Sequence, residues 1–257
     1  MILFIFFILG LIVGSFVNVV IFRLNTKDPI IIGRSKCLFC GNQLSIKDLI
    51  PIISFLLLKG ECRYCHQKIS WQYPIVELTV AILFVIIGFY HFGFSEKILE
   101  VNWFILLRDL LAITALIIIF VYDLRFMEIP DEISLTTIII SFLLGIAGGL
   151  NWLSMLISAI IGLSFFLIQY LISQGQAIGG GDLRLGFLMG ILLVNWPILI
   201  LALVLSYLLG FFPALWLLIN KKYNQQSKIP FAIFLVPATI ISMLWGNQIM
   251  EWYLNLH

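Results

Sequence analysis

Charge is what this sequence has least of. Only 11% of its 257 residues are Asp, Glu, Lys or Arg, against 62% hydrophobic. A soluble domain carries roughly a quarter charged residues. The scarcity excludes an ordinary water-facing surface and, with a mean hydropathy of +1.12, puts the chain in the membrane class. Low-complexity segments are also missing. The first apolar run lacks the basic n-region and small-residue cleavage site of a secretion signal, so it reads as a retained span. The net charge of +2 excludes little, because the placement of charge carries more than its sum.

What is there is a series of apolar runs, several near the roughly 20 residues that cross a hydrocarbon core as helix. Spans are expected near 2–22, 74–92, 104–122, 133–150, 152–172, 186–195, 198–219 and 231–250. The sixth is short. Residues 186–219 are too long for one crossing and short for two, and Asn195, Trp196 and Pro197 supply the break. A short helix held inside the bundle can still reach the far side. Eight crossings are expected, with seven or six as fallbacks. Threading eight with the N-terminus outside puts Arg23, Lys27, Arg34, Lys36, Lys47, Lys59, Arg63, Lys68, Arg125, Arg184, Lys221, Lys222 and Lys228 in the cytoplasm, and leaves Lys97 and Arg108 on or near the outer side. That is the positive-inside distribution. The expected fold is therefore an all-α polytopic membrane bundle with one small cytoplasmic insertion. Its parts are a first span (1–22), a polar module (23–73) and the main bundle (74–257).

The module holds all four cysteines and contains a repeat. Cys37-Leu-Phe-Cys40-Gly41-Asn42-Gln43-Leu44-Ser45 matches Cys62-Arg63-Tyr64-Cys65-His66-Gln67-Lys68-Ile69-Ser70. Two such turns present four thiolates tetrahedrally, as a structural zinc site needs. The gap of 21 residues between the pairs is just beyond the usual range. Two disulfides are the alternative, disfavoured in a reducing compartment. Zinc on Cys37, Cys40, Cys62 and Cys65 is expected to supply much of the folding free energy of so small a module. His66 could substitute as a ligand, though the neighbour of a fourth cysteine is more often a bystander.

Two aspartates stand out at expected cytoplasmic helix ends, where charge in a membrane protein is costly and usually functional. Asp123 follows the run 104–122, and Asp182 closes Gly179-Gly180-Gly181-Asp182. The topology returns both to one side. Two carboxylates in a semi-apolar site cannot easily ionise together, so one keeps a proton while the other deprotonates a water. Such a pair can hydrolyse a peptide bond without metal or covalent intermediate. The glycines let a substrate strand approach closely. Singly, Asp123 also fits an interfacial cap or a partner of Arg125, and Asp182 fits a helix N-cap; together they favour catalysis.

At these residues the sequence resembles the type IV prepilin peptidases, membrane aspartyl proteases of the GxGD type. The resemblance runs from Gly14-Ser15-Phe16-Val17-Asn18 through both cysteine pairs, Gly60-Glu61-Cys62-Arg63-Tyr64-Cys65 and Ile69-Ser70-Trp71-Gln72-Tyr73-Pro74-Ile75-Val76-Glu77. It continues through the Asp123 segment ending in Pro130-Asp131, the Gly179–Asp182 motif and the tail Ile229-Pro230-Phe231-Ala232. It implies that Asp123 and Asp182 are the catalytic pair, and that the substrate is the basic leader of a prepilin or pseudopilin. Cleavage is expected after a glycine, on the cytoplasmic side of a bacterial inner membrane. Many members also methylate the new N-terminus with S-adenosylmethionine, although no Gly-rich dinucleotide-type loop marks a pocket for it here. Lipid is an expected partner and nucleic acid is not. Arg184 stands where the family usually has Lys, Leu38 replaces a common Pro and Ala232 a usual Gly.

Other polar groups admit two readings. Gly179, Gly181, Asp131, Glu132 and Glu77 are candidates for substrate binding. Asp131 and Glu132 also fit a plain acidic helix start, and Asn18 and Glu77 also fit bonds between neighbouring helices. A proton-coupled transporter using the paired aspartates is the alternative function. Transporter sites usually lie near the midplane, not at one face. A docking protein without catalysis and a presenilin-like protease are the remaining rivals.

Overall fold

The computed structural model describes residues 1–26, 29–30, 33–93, 101–176, 178–219 and 230–255. Lys27, Asp28, Lys97, Lys221, Lys222, Lys228 and Ile229 lie outside the described residues. Within them the fold is all-helical, without strands beyond two isolated bridges. The helices are α1 (Ile2–Thr26), α2 (Ile53–Leu57), α3 (Gln72–Phe92), α4 (Trp103–Phe126), α5 (Asp131–Ala147), α6 (Trp152–Ile172), α7 (Gly180–Leu193), α8 (Trp196–Ile219) and α9 (Ala232–Leu254).

Eight of these occupy the eight apolar runs. Six of them (α1, α3, α4, α6, α8 and α9) are long and apolar enough to cross a membrane. The others, α5 with 17 residues and α7 with 14, are shorter. At 1.5 Å per residue α7 reaches only about 21 Å, against roughly 30 Å of hydrocarbon. Its burial accounts for the shortness. Leu185, Gly186 and every residue from Leu188 to Leu193 are buried, and α7 packs against α5, α6, α8 and α9. Backbone that ends short of the interface is then covered by protein and not by lipid. The break falls where the sequence places it, with Val194 at φ 64° between α7 and α8.

The chain forms two compact units, Met1–Val101 and Asn102–His257. In the first, α1 and α3 pair closely because glycines remove the side chains between them. A Cβ on Gly10 would lie 2.5 Å from the Ala81 Cα, and one on Gly14 only 2.7 Å from the Glu77 Cα. Such small-xxx-small spacing is how helices approach in a membrane, where packing replaces the hydrophobic effect. α3 thus belongs to the same compact unit as the cysteines. In the second unit, α4 starts at Asn102, whose side chain accepts from the Ile105 N–H and donates to the Gly148 carbonyl at 2.8 Å. It ends at Met127, in the left-handed conformation with φ 55°.

Candidate active site and metal centre

The two cysteine turns are the same structure twice. In the first, the Cys37 N–H donates to the Asn42 carbonyl and the Gly41 N–H to the Cys37 carbonyl, both at 2.9 Å. In the second, the Cys62 N–H donates to Gln67 and the His66 N–H to Cys62, again at 2.9 Å. The bridges Lys36–Gln43 and Glu61–Lys68 repeat as well. Gly41 and His66 hold matching left-handed positions, φ 71° and 58°. His66 therefore does a turn residue's job, and the cluster that could hold a metal consists of the four cysteines.

Their sulfurs all lie within 4.8 Å of one another, with Cys37 and Cys65 3.9 Å apart. Zn–S bonds of about 2.3 Å put tetrahedral sulfurs roughly 3.8 Å apart, so the donor set fits a tetrahedral soft-metal site. The crowding also splits the thiols. Burial pushes the Cys37 thiol up, but N–H groups of Cys40 and Phe39 and neighbouring thiols outweigh it and bring it down to about 7. At Cys65 the Gln67 N–H acts downward, while burial and the other three thiols push it up to about 12. Four thiolates at this distance need a cation among them. Beside the cluster, Asp48 accepts from the Arg63 Nε at 2.7 Å and the Ser45 hydroxyl at 2.7 Å.

In the second unit Asp123 occupies the last turn of α4 and is 5% exposed. Its Oδ2 accepts the Ala232 N–H, in the first turn of α9, at 3.1 Å. Asp182 occupies the first turn of α7, half-buried, and its Oδ2 accepts the Gly179 N–H at 3.0 Å. The two carboxylates are near enough to act on one another electrostatically. Each thus uses Oδ2 on a backbone N–H, and among the described residues neither Oδ1 has a hydrogen-bond partner.

The turn after Asp123 is held against the start of α7 at two points. A Cβ on Gly181 would lie 2.9 Å from the Ile129 Cβ, so glycine is what lets α7 begin there. Two residues on, Asp131 forms an ion pair with Arg184, whose Nε is buried with no partner of its own. Glu132 is exposed. A cluster of rings (Phe166, Tyr207, Phe231 and Phe234) borders Ala232, with Tyr207 and Phe231 centroids 5.2 Å apart. The Tyr207 hydroxyl donates to the Gln169 Oε1 at 2.7 Å.

Glu77 sits in the first unit. Its Oε2 accepts the Ile52 N–H at 2.8 Å. Asn18 donates to the Gly14 and Tyr73 carbonyls at 3.3 and 3.2 Å. Both groups therefore make bonds within that unit. Three features went unnoticed in the sequence: the Ala232 N–H, the Asp131–Arg184 pair and the Tyr207–Gln169 bond. Only Arg184 carried a signal, a lone cation two residues from Asp182 at a span end.

Comparison with known proteins agrees with this division of the chain. Residues 8–92 match a family described as the bacterial peptidase A24 N-terminal domain. Residues 110–215 match the type IV leader peptidase family. The chain is 33% identical to a prepilin leader peptidase/N-methyltransferase of Bacillus subtilis (strain 168), with 98% of each chain covered. It is 31% identical to one of Aeromonas hydrophila, over 97% of this chain and 92% of the relative. A third, of Pseudomonas aeruginosa, is 29% identical over 96% and 92%. No solved structure matches the chain. With a like-named relative matched over 98% of each chain, paired aspartates inside one matched domain and four clustered cysteines inside the other, the chain is an integral membrane protein of the type IV leader peptidase family.

Proposed function

We propose that this protein is a prepilin peptidase that removes the leader of a type IV prepilin or pseudopilin, with Asp123 and Asp182 as its catalytic pair. The observation that carries the reading is the pairing itself. Residues 59 positions apart in sequence come within electrostatic range, each oriented through Oδ2 by a backbone N–H. In the working state one carboxyl is protonated and the other ionised, and they titrate as a pair. The ionised one takes a proton from a water whose oxygen attacks the scissile carbonyl carbon, while the protonated one gives its proton to the carbonyl oxygen. Collapse of the tetrahedral intermediate breaks the C–N bond. The amine leaves with the proton taken from the water, the other carboxylate recovers its proton from a hydroxyl of the intermediate, and a carboxyl group remains on the leader. The transporter reading gains nothing from these findings.

Gly179 and Gly181 present bare backbone beside Asp182 and are proposed to receive the substrate strand. Of the acidic candidates for the leader's positive residues, Asp131 is already paired with Arg184. Exposed Glu132 is the freer of the two. Glu77 is retained as a substrate-binding candidate, with its bond to Ile52 as the competing role. Zinc on Cys37, Cys40, Cys62 and Cys65 is proposed as structural, holding the two turns together. N-methylation with S-adenosylmethionine accompanies cleavage in this reading, because the relatives' name couples the two activities. The proposed location is the bacterial inner membrane, with cysteines and aspartates on the cytoplasmic side and lipid around the helices.

The test is cleavage of a prepilin in detergent micelles, with mass spectrometry of the new N-terminus to read cleavage site and methylation together. Asp123→Asn and Asp182→Asn are expected to insert normally and not to cleave. Near-normal cleavage by either folded variant would overturn the assignment.

A further inference from the structure

The register of the α1–α3 pair sets a depth scale. Gly10 meets Ala81, Gly14 meets Glu77, and Asn18 reaches the Tyr73 carbonyl, so the helices run antiparallel. Arg23, the first basic residue, lies nine positions beyond Gly14, which is about 13 Å further along α1. Glu77 itself lies five residues, about 8 Å, inside the start of α3 at Gln72. Its Oε2 holds the Ile52 N–H at 2.8 Å, which brings the polar insertion at Ile52 alongside the first turns of α3. Ile52 has φ +60°, an outlier for a β-branched side chain, and the Glu77 bond holds it there.

From this point α2 turns one ring inward and the rest outward. Phe55 is buried, 5.0 Å from the Trp71 ring centroid, and a Cβ on Gly60 would come within 3.1 Å of it. Ile53, Leu56 and Leu57 are left 54, 63 and 78% exposed. Water is a poor solvent for so much adjoining apolar surface. Exposed Lys47 and Lys59 bracket the segment, and lysine stems lie along apolar surface while their heads reach for anionic headgroups. Exposed apolar residues flanked by cations, beside the first turns of a membrane-spanning helix, complement acyl chains beneath an anionic leaflet surface.

We propose that residues 50–58 form a re-entrant finger whose Ile53, Leu56 and Leu57 enter the lipid of the protein's own membrane, giving the cysteine-bearing insertion an anchor besides α1 and α3. The test places a photo-crosslinker at the tip. Full-length, metal-loaded protein carrying Leu57→p-benzoylphenylalanine is irradiated in phosphatidylcholine–phosphatidylglycerol vesicles and analysed by mass spectrometry. Tyr64→p-benzoylphenylalanine, on the second cysteine turn, is the control, and retained metal reports that both variants are folded. A phospholipid adduct at 57, several-fold above that at 64, is expected, and it should persist when prepilin is added. Crosslinks from 57 to residues 102–257, transfer of the label to prepilin, or lipid labelling no greater than at 64 would each overturn the proposal.

Discussion

The two compact units are specified in opposite ways. In Met1–Val101 the cysteine turns are written locally. Each closes on itself through hydrogen bonds spanning four or five residues, and the second copies the first at 25 positions' distance. In Asn102–His257 the decisive bond joins residues 109 positions apart, Asp123 to Ala232. The first design fixes geometry cheaply but leaves a small module with little core, which the proposed metal would make up for. The second needs a packed bundle before its carboxylates meet, and in the proposed mechanism only water and substrate come between them.

The sharpest way to break this contrast is to remove the metal. A structural zinc contributes apparent folding free energy of about 10 kcal/mol or more. Chelation, or Cys62→Ser, is expected to abolish hydrogen-exchange protection over 35–70 while leaving protection in α4–α9 unchanged. Loss of protection in both units together would mean that they fold as one. Next in size is the proposed catalytic pair. Asp123→Asn and Asp182→Asn should each lower cleavage by at least about a hundredfold, the usual scale of a lost general acid or base. Metal content should stay as in the parent, because elemental analysis reads the other unit.

The Asp131–Arg184 pair is a smaller matter. Both side chains are partly exposed, 56 and 32%, and exposed pairs contribute about 0.2–1 kcal/mol. Asp131→Asn and Arg184→Gln should therefore cost little stability. If the pair holds the turn after Asp123 against α7, each should lower kcat with little change in KM. The two effects should then be non-additive in a double-mutant cycle, and Arg184→Lys should recover part of the loss because it keeps charge without the fork. If Asp131 instead meets the leader's cations, Asp131→Asn will raise KM in a salt-dependent way, with no coupling to Arg184.

These cases show where sequence reading stops. The Cys-x-x-Cys repeat and the break at Asn195–Pro197 were legible because each is a local pattern. Membrane spans were legible from apolar length, except for α5 and α7, which are shorter than a crossing needs, α7 because it is buried among neighbouring helices. Partners chosen in three dimensions were not legible. Nothing in the letters said that Ala232 would present its N–H to Asp123, that Asp131 would find Arg184, or that Glu77 would hold the backbone of Ile52.

The smallest expected effect concerns the one departure between the two cysteine turns. Gly41 and His66 occupy the same left-handed position, which costs an L-residue roughly 1–2 kcal/mol and costs glycine nothing sterically. A Cβ at Gly41 would meet no atom within 4 Å, so the first turn uses glycine for its backbone alone and not for room. His66→Gly should relieve the second turn. Part of the gain is lost again because glycine frees the unfolded chain by about 0.4–1 kcal/mol. The net expectation is a stabilisation of about 1 kcal/mol, read as a small rise in the chelator concentration needed to strip the metal. Gly41→His should lower it. If His66→Gly instead releases the metal readily, the imidazole is a ligand and the two turns are not equivalent. The contrast between a unit built from a repeated local motif and a unit built from long-range pairing would then need redrawing.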